Sequence, residues 1–458
     1  MSLLKKYTFN TRTSKEDKVK YGEILSPPTL IDEMLDMLPK PVFSNPTYKW
    51  LDPGAGTGHF SIKLYHRLMA GLEQSISNLS KRHNHIIQNM IYMAEIKESS
   101  IERLREIFGT KANIFTGDFT SSHTELDSLS FDFVIGNPPY NANGIKKVPT
   151  NSVETKKNDG QTIWIPFVKK AISLLVPNGY LLFIIPSIWM KPDRAGMYTY
   201  LTSYKLEKIK CFSNSETNQI FNGEAQTPTC CLLLSKKSTN KRVYLFDKNR
   251  DKYVRYTIRK NLPIPLFGST IINKLIPFVK KAGSLKVIKT NMPQSSATIS
   301  TLSEYKYPNI KTCLLNGVKP TIITNYSDKE LMFAGKPKIV MAHKMYGFPY
   351  LDVEGKYGIS TRDNYVIIDR SIEELERLQQ FLGTKIALYL FEATRYRMKY
   401  LERYAFEFIP DITKLEDFPE EITDETIANY FMLDDVDIKN VNTLHRKDYE
   451  FFPTIATF

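Results

Sequence analysis

Apolar positions in the first half of the chain follow two alternating rhythms. Short continuous runs occur at Trp50-Leu51, Met90-Ile91-Tyr92-Met93-Ala94, Phe131-Asp132-Phe133-Val134-Ile135 and Tyr180-Leu181-Leu182-Phe183-Ile184-Ile185. Between them, apolar residues recur at helical spacing: Phe60, Leu64 and Leu68, then Ile101, Leu104 and Phe108, then Ile165, Val168, Ile172 and Leu175. Strands separated by helix-length amphipathic segments predict a parallel α/β sheet. Strands that are apolar throughout fit a sheet covered on both faces.

The rhythm changes after Leu234. Ser235-Lys236-Lys237-Ser238-Thr239-Asn240 is a polar break, and it predicts a first domain over 1–240 and a second over 241–458. The second half has shorter strand signals, a helix pattern over Glu373–Leu390, and an acidic end whose Phe418, Tyr430, Phe431 and Phe451 are expected to pack.

Charge sharpens this division. The net charge is +13, but Lys236 to Lys344 alone holds 22 basic and 5 acidic residues. From Asp411 onward there are 4 basic and 12 acidic residues. A local basic surplus rich in Tyr and Asn points to a polyanion partner. An AT-rich genome that inflates lysine is the plainer explanation, so the motifs must decide. Length (458 residues) and an apolar share of 42% allow two or three domains with sizeable cores. No apolar run approaches the roughly 20 residues that span a bilayer, and Met1 to Lys6 lacks a secretory apolar stretch. A cytoplasmic protein without membrane contact is expected. Cys211, Cys230, Cys231 and Cys313 form no C-x-x-C pair, which argues against a disulfide framework or a zinc site.

Candidate chemistry lies at the strand ends. Asp52-Pro53-Gly54-Ala55-Gly56-Thr57-Gly58 follows the first strand, and its glycines let backbone approach a ligand closely. The spacing is neither the dinucleotide G-x-G-x-x-G nor a phosphate loop. Acidic Asp52 suits a cationic ligand better than a phosphate. Glu95 ends the next strand, where a carboxylate can hold both ribose hydroxyls. Asp118 could accept from an adenine amino group, with Phe119 packed on the ring. Asn137-Pro138-Pro139-Tyr140 follows the strand Phe131 to Ile135. Its two prolines donate no hydrogen bond. The Asn137 side-chain oxygen and the Pro138 carbonyl can thus both accept from one exocyclic amino group, while Tyr140 offers a stacking face.

Residues 52–58 followed by 137–140 resemble the DNA amino-methyltransferases, in the motif order of their gamma subclass. Tyr21-Gly22-Glu23-Ile24-Leu25-Ser26-Pro27-Pro28, before a helix at Thr29–Leu38, resembles the N-terminal cofactor motif of that family, with Ser26 where Thr is usual. Trp164 and Phe167 resemble the segment whose aromatic packs near the cofactor adenine. Ile220-Phe221-Asn222-Gly223 resembles the region that supplies a second aromatic against the target base. The resemblance implies a Rossmann-like, seven-stranded S-adenosylmethionine-dependent methyltransferase domain and a mixed α+β target-recognition domain. It further implies methyl transfer to N6 of an adenine flipped out of duplex DNA, and a cognate restriction endonuclease as a possible partner.

On this reading Asn137, Pro138, Tyr140 and Phe221 are catalytic. Ser26, Asp52, Gly54, Gly56, Glu95, Asp118, Phe119 and Phe167 bind the cofactor. Lys344, Tyr346 and Arg362 are candidate DNA or surface residues. An RNA amino-methyltransferase fits the basic region equally. A protein-glutamine methyltransferase shares Asn-Pro-Pro-Tyr but is shorter and has a helical N-terminal domain. A cytosine N4 enzyme would usually carry Ser at position 137. A non-catalytic binding module sits poorly with the intact Asn137–Tyr140 turn, and a fused nuclease has little room.

Overall fold

The computed structural model describes residues 4, 7–9, 13–122, 124–142, 161–193, 195–302, 304–315, 319–343, 348–397, 401–444 and 454–457. Lys344, Tyr346 and Phe451 lie outside the described residues. The chain divides into two compact units, Met1–Phe246 and Asp247–Phe458.

The first unit is built on a twisted sheet. Its strands are β1 (Trp50–Asp52), β2 (Ile91–Glu95), β3 (Asn113–Thr116), β4 (Phe131–Gly136), β5 (Leu175–Pro186), β6 (Tyr204–Phe212), β7 (Thr229–Ser238) and β8 (Arg242–Asp247). They lie side by side in the order β3-β2-β1-β4-β5-β7-β6-β8. The pairings β3·β2, β2·β1, β1·β4 and β4·β5 are parallel, while β7 runs antiparallel to both β5 and β6. The first seven strands in this order include a single reversed member, β7. An eighth strand, β8, is added parallel to β6. It lies beyond the polar break at 235–240, and the first compact unit runs to Phe246.

Local sequence explains these elements. Leu181 to Pro186 on β5 and Thr229 to Ser235 on β7 are buried throughout, as expected for strands covered on both faces. Cys230 and Cys231 on β7 are among these core residues. Trp50 stacks between Phe43 and Phe133 (ring centroids 5.5 and 3.9 Å) and fixes β1 against β4. Helix α1 (Lys15–Tyr21) precedes α2 (Pro28–Leu35), which starts on proline because the first turn needs no donor there. Helix α3 (His59–Gly71) buries Phe60, Leu64 and Leu68. It begins at Gly58, where φ is +89° and a β-carbon would come within 2.9 Å of Leu104. Helices α4 (Glu98–Phe108) and α5 (Trp164–Ser173) complete the alternation.

The second unit mixes α and β. One sheet orders Ile288–Lys289, Asn364–Ile367, Lys338–Ala342 and Tyr350–Asp352, all antiparallel. Another pairs Tyr307–Leu315 with Pro320–Ser327. Ile310, Cys313, Ile322, Val340, Phe348 and Val366 form a common core. The helix expected over Glu373–Leu390 is two helices, Ile372–Leu382 and Lys385–Ala393. Gly383 closes the first, and the Thr384 side chain caps the second by accepting from the Ala387 amide. Phe418 and Phe431 are buried, and Tyr430 is half-buried. Among the described residues no helix is long and apolar enough to cross a membrane.

Candidate active site

The ends of β1, β2, β3 and β4 open on one edge of the sheet, beside the point where strand order reverses between β1 and β4. Open α/β sheets bind ligands at such a crevice. Here it is a cavity of about 530 Å³, lined by Lys20 to Ser26, Pro53 to Thr57, His59, Phe60, Ala94 to Lys97, Gly117 to Thr120, Asn137, Pro139, Thr162, Ile163, Pro166 and Phe167. That volume suits a cofactor-sized molecule.

Among the sequence-predicted residues, Ser26, Gly54, Gly56, Glu95, Asp118, Phe119, Asn137 and Phe167 all line this cavity. The Glu95 carboxylate is held by backbone: Gly56 N–H donates to it at 2.7 Å, Ile96 at 3.0 Å and Lys97 at 2.9 Å. This fixes the β1 loop against the end of β2. Asp118 accepts from the Thr120 amide and hydroxyl at 2.8 and 2.7 Å. Phe119 and Phe167 pack at 5.1 Å between ring centroids, with both rings mostly buried. Together they form the apolar end of the cavity.

Asn137 is the most informative side chain. Its Nδ2 donates to the Ile24 carbonyl at 3.0 Å and to Ser26 Oγ at 3.1 Å. These partners set the orientation of the amide. Its Oδ1 is buried and accepts no hydrogen bond. A buried acceptor left unpaired costs free energy and needs an explanation. A ligand N–H would supply one. Gly22, at φ +69°, packs the N-terminal segment onto this turn so closely that a β-carbon would overlap the Asn141 carbonyl.

Four predicted residues fall outside the lining. Asp52 is buried behind the loop, where Ser61 Oγ donates to it at 3.0 Å. Burial, with the nearby Glu95 charge adding to it, pushes the Asp52 carboxyl up to about 7. Asp52 therefore sits behind the loop, bonded to Ser61, and is not among the residues that line the cavity. Pro138 is buried beside Asn137. Tyr140 is buried, its hydroxyl is without a partner, and burial near Cys231 and Cys230 holds its phenol well above the usual range. Phe221 is fully buried after the helix Asn214–Ile220, which Ser213 and Glu216 cap reciprocally.

The structure adds residues to which the sequence reading gave no role. Glu23 lines the cavity, and burial raises its carboxyl while Lys97, 3.4 Å away, opposes the shift. Lys97 also pairs with Asp17 at 2.8 Å. His59 lines the cavity with Nδ1 3.0 Å from the Ser26 carbonyl, and burial lowers its pKa, keeping the ring neutral. The only sequence signal for these residues was that they neighbour the glycine loop, Glu95 and Ser26.

Residues 59–221 match the family described as Eco57I restriction-modification methylase. The type II methyltransferase M.XhoI of Xanthomonas vasicola is 27% identical over 167 residues, which cover 32% of this chain and 30% of that protein. The tRNA1(Val) (adenine(37)-N6)-methyltransferase of Bacteroides fragilis is 24% identical over 136 residues, covering 30% of this chain and 51% of that protein. The solved type I restriction enzyme EcoKI M protein aligns at 18% identity with a TM-score of 0.34, over 46% of this chain and 47% of that one. The chain thus spans under a third of the Xanthomonas protein and about half of the Bacteroides one.

Proposed function

We propose that this chain is an S-adenosylmethionine-dependent DNA methyltransferase of the restriction-modification type, acting on the N6 amino group of adenine. The observation that carries this reading is the buried, unpaired Asn137 Oδ1, which lies at the end of β4 on the cavity wall. An exocyclic amino group is the kind of donor that it lacks. Holding such a group by two acceptors, Asn137 Oδ1 and the Pro138 carbonyl, would stabilise the positive charge that develops on nitrogen.

The cavity fits the expected cofactor. Glu95 would take the ribose hydroxyls, Asp118 the adenine amino group, and Phe119 with Phe167 the adenine ring. The loop from Pro53 to Thr57 would lie against the methionine part. When bound, S-adenosylmethionine supplies a methyl group activated by the adjoining sulfonium. The chain's own work is to orient the two reactants, exclude water and polarise the amino group. An adenine within a duplex cannot reach this crevice, so it must flip out at a cost of a few kcal/mol. Tyr140 and Phe221 would offset that cost by stacking. Both are buried here, so the turn that carries Tyr140 must shift as the base enters. The basic stretch from Lys236 to Lys344 would hold the DNA backbone, and Arg362 is a candidate for the same role. A restriction endonuclease paired with this chain belongs to the same proposal.

The test is direct. Purified protein is incubated with S-adenosylmethionine and either duplex DNA or structured RNA, and the products are digested and their nucleosides identified by mass spectrometry. N6-methyladenine in the DNA supports the proposal. N4-methylcytosine, or no methylated DNA base, overturns it. Methyladenine confined to RNA would instead favour the reading suggested by the Bacteroides relative.

A further inference from the structure

Helix α1 contributes Lys20 and Tyr21 to the cavity wall, yet it buries none of its residues. A seven-residue helix is far below the length that is stable alone in water. Apolar burial does not hold it in place. What does is polar: the Ser14 side chain accepts from the Asp17 amide at its N-terminus, and Asp17 Oδ2 accepts from Lys97 Nζ at 2.8 Å. Lys97 follows Glu95 by two residues, and its own amide donates to the Glu95 carboxylate at 2.9 Å. The same ammonium reaches Glu23 at 3.4 Å, on the segment that continues from α1 to Ser26. All three side chains are largely shielded from water, with 15 to 23% of each exposed. An ion pair so placed is screened less than one on the open surface.

We propose that Lys97 is a positioning residue for the cofactor site, holding α1 and the segment from Tyr21 to Ser26 closed over the ligand through its pairs with Asp17 and Glu23. This rests on the reading of the cavity as an S-adenosylmethionine site. Lys97 links one fixed wall, the end of β2, to α1, which buries none of its own residues and leads into the segment that Asn137 holds at Ile24 and Ser26. A ligand between those walls leaves when the second wall lifts, and lifting it breaks both ion pairs. Removing Lys97 also leaves Glu23 beside Glu95 without its cation, which pushes the walls apart. Lys97 therefore sets how long the cofactor stays bound more than how fast it enters.

The experiment measures dissociation of S-adenosylhomocysteine from the full chain by stopped-flow fluorescence, across a salt series. Lys97→Ala should release the ligand about tenfold faster, because two shielded pairs are removed. Asp17→Asn should release it about threefold faster, through the α1 pair alone. Lys97→Arg should stay near wild type, since the charge is kept. Salt should speed release from wild type and have little effect on Lys97→Ala, a dependence that a purely structural residue would not show. Asp17 lies on a helix with no buried residues, so its variant should fold even if Lys97→Ala does not. Unchanged release rates in both variants, or a salt dependence that survives in Lys97→Ala, would overturn the role of Lys97 alone. Failure of the wild-type chain to bind S-adenosylhomocysteine would overturn the cofactor reading and this inference together.

Discussion

Around the cavity of the first unit, Asp52 is fully buried with its carboxyl pushed up to about 7, and burial also raises Glu23. In the second unit, acidic side chains are matched to cations. Asp437, which is fully buried, accepts from Arg250 at 2.9 Å, Lys274 at 2.6 Å and Thr270 at 2.7 Å. Arg370 and Thr413 hold the Asp411 carboxyl below its ordinary range against the effect of burial, and Asp434 is likewise lowered by its hydrogen bonds to the Asp437 amide, Lys274 and Arg250. Glu392 is the exception, pushed up to about 8 by burial although Arg395 lies 3.1 Å away. The first unit thus leaves electrostatic cost only partly relieved beside a cavity, a pattern that goes with function. The second unit commits several of its acids to internal cross-links.

Four measurements test this contrast. The largest effect is expected at Asn137. Asn137→Ala removes one acceptor of the amino group, and losing one such bond costs about 10²–10³ in rate. Methyl transfer should fall at least that far while S-adenosylmethionine affinity, read by calorimetry, survives. A near-normal rate would mean that the unpaired oxygen has no catalytic role.

Asp437→Ala should come next, in stability and not in chemistry. It removes the buried one of two carboxylates that hold Arg250 and Lys274, leaving Asp434, and should cost about 2 kcal/mol in denaturant unfolding. Cofactor affinity should stay the same. A loss below about 1 kcal/mol would show that the second unit does not depend on its internal ion pairs.

Asp52 provides the opposite sign. Its folded carboxyl titrates near 7 and its ordinary value is 3.8, so the folded state keeps its proton longer than the unfolded one. The stabilising contribution is complete below about pH 4 and is lost as pH rises through about 7. Asp52→Asn should abolish that slope and leave the ligand-free protein more stable at pH 8. The gain should be on the order of 2 kcal/mol, since relaxation around the charged carboxylate offsets part of the shift. Parallel stability curves for the two proteins from pH 4 to 8 would remove Asp52 from the comparison.

The smallest effect concerns the basic surface. Lys306, Lys311 and Lys319 are exposed within the basic stretch. Their joint replacement by Gln should flatten the dependence of log K on log salt for duplex binding, by about 0.9 for each phosphate no longer neutralised. Cofactor affinity should not change. An unaltered salt slope would place the DNA backbone elsewhere.

The sequence alone determined strands β1, β2, β4 and β5 of the sheet and the residues at their ends. Continuous apolar runs and helical spacing are local properties, and they placed the glycine loop, Glu95, Asp118 and Asn137 at successive strand ends. The parallel alternation then brings those ends to one edge. It could not show which way a side chain turns at a strand end. Asp52 sits behind the loop, while Glu95, at the neighbouring strand end, lines the cavity. Nor could it show that Tyr140 and Phe221 lie buried, because burial is set by neighbours distant in sequence. Nor did it reveal that β8, which lies beyond the polar break, pairs with the edge of β6. The Glu373–Leu390 pattern ran through Gly383 because apolar spacing continues across a break that only the Thr384 cap reveals. The cluster of Asp17, Glu23 and Lys97 was the least legible. Lys97 and Asp17 are 80 residues apart and carry no shared motif. Only the crossover from β1 through α3 to β2, with the N-terminal segment packed onto the Asn137 turn at Gly22, brings their charges within reach.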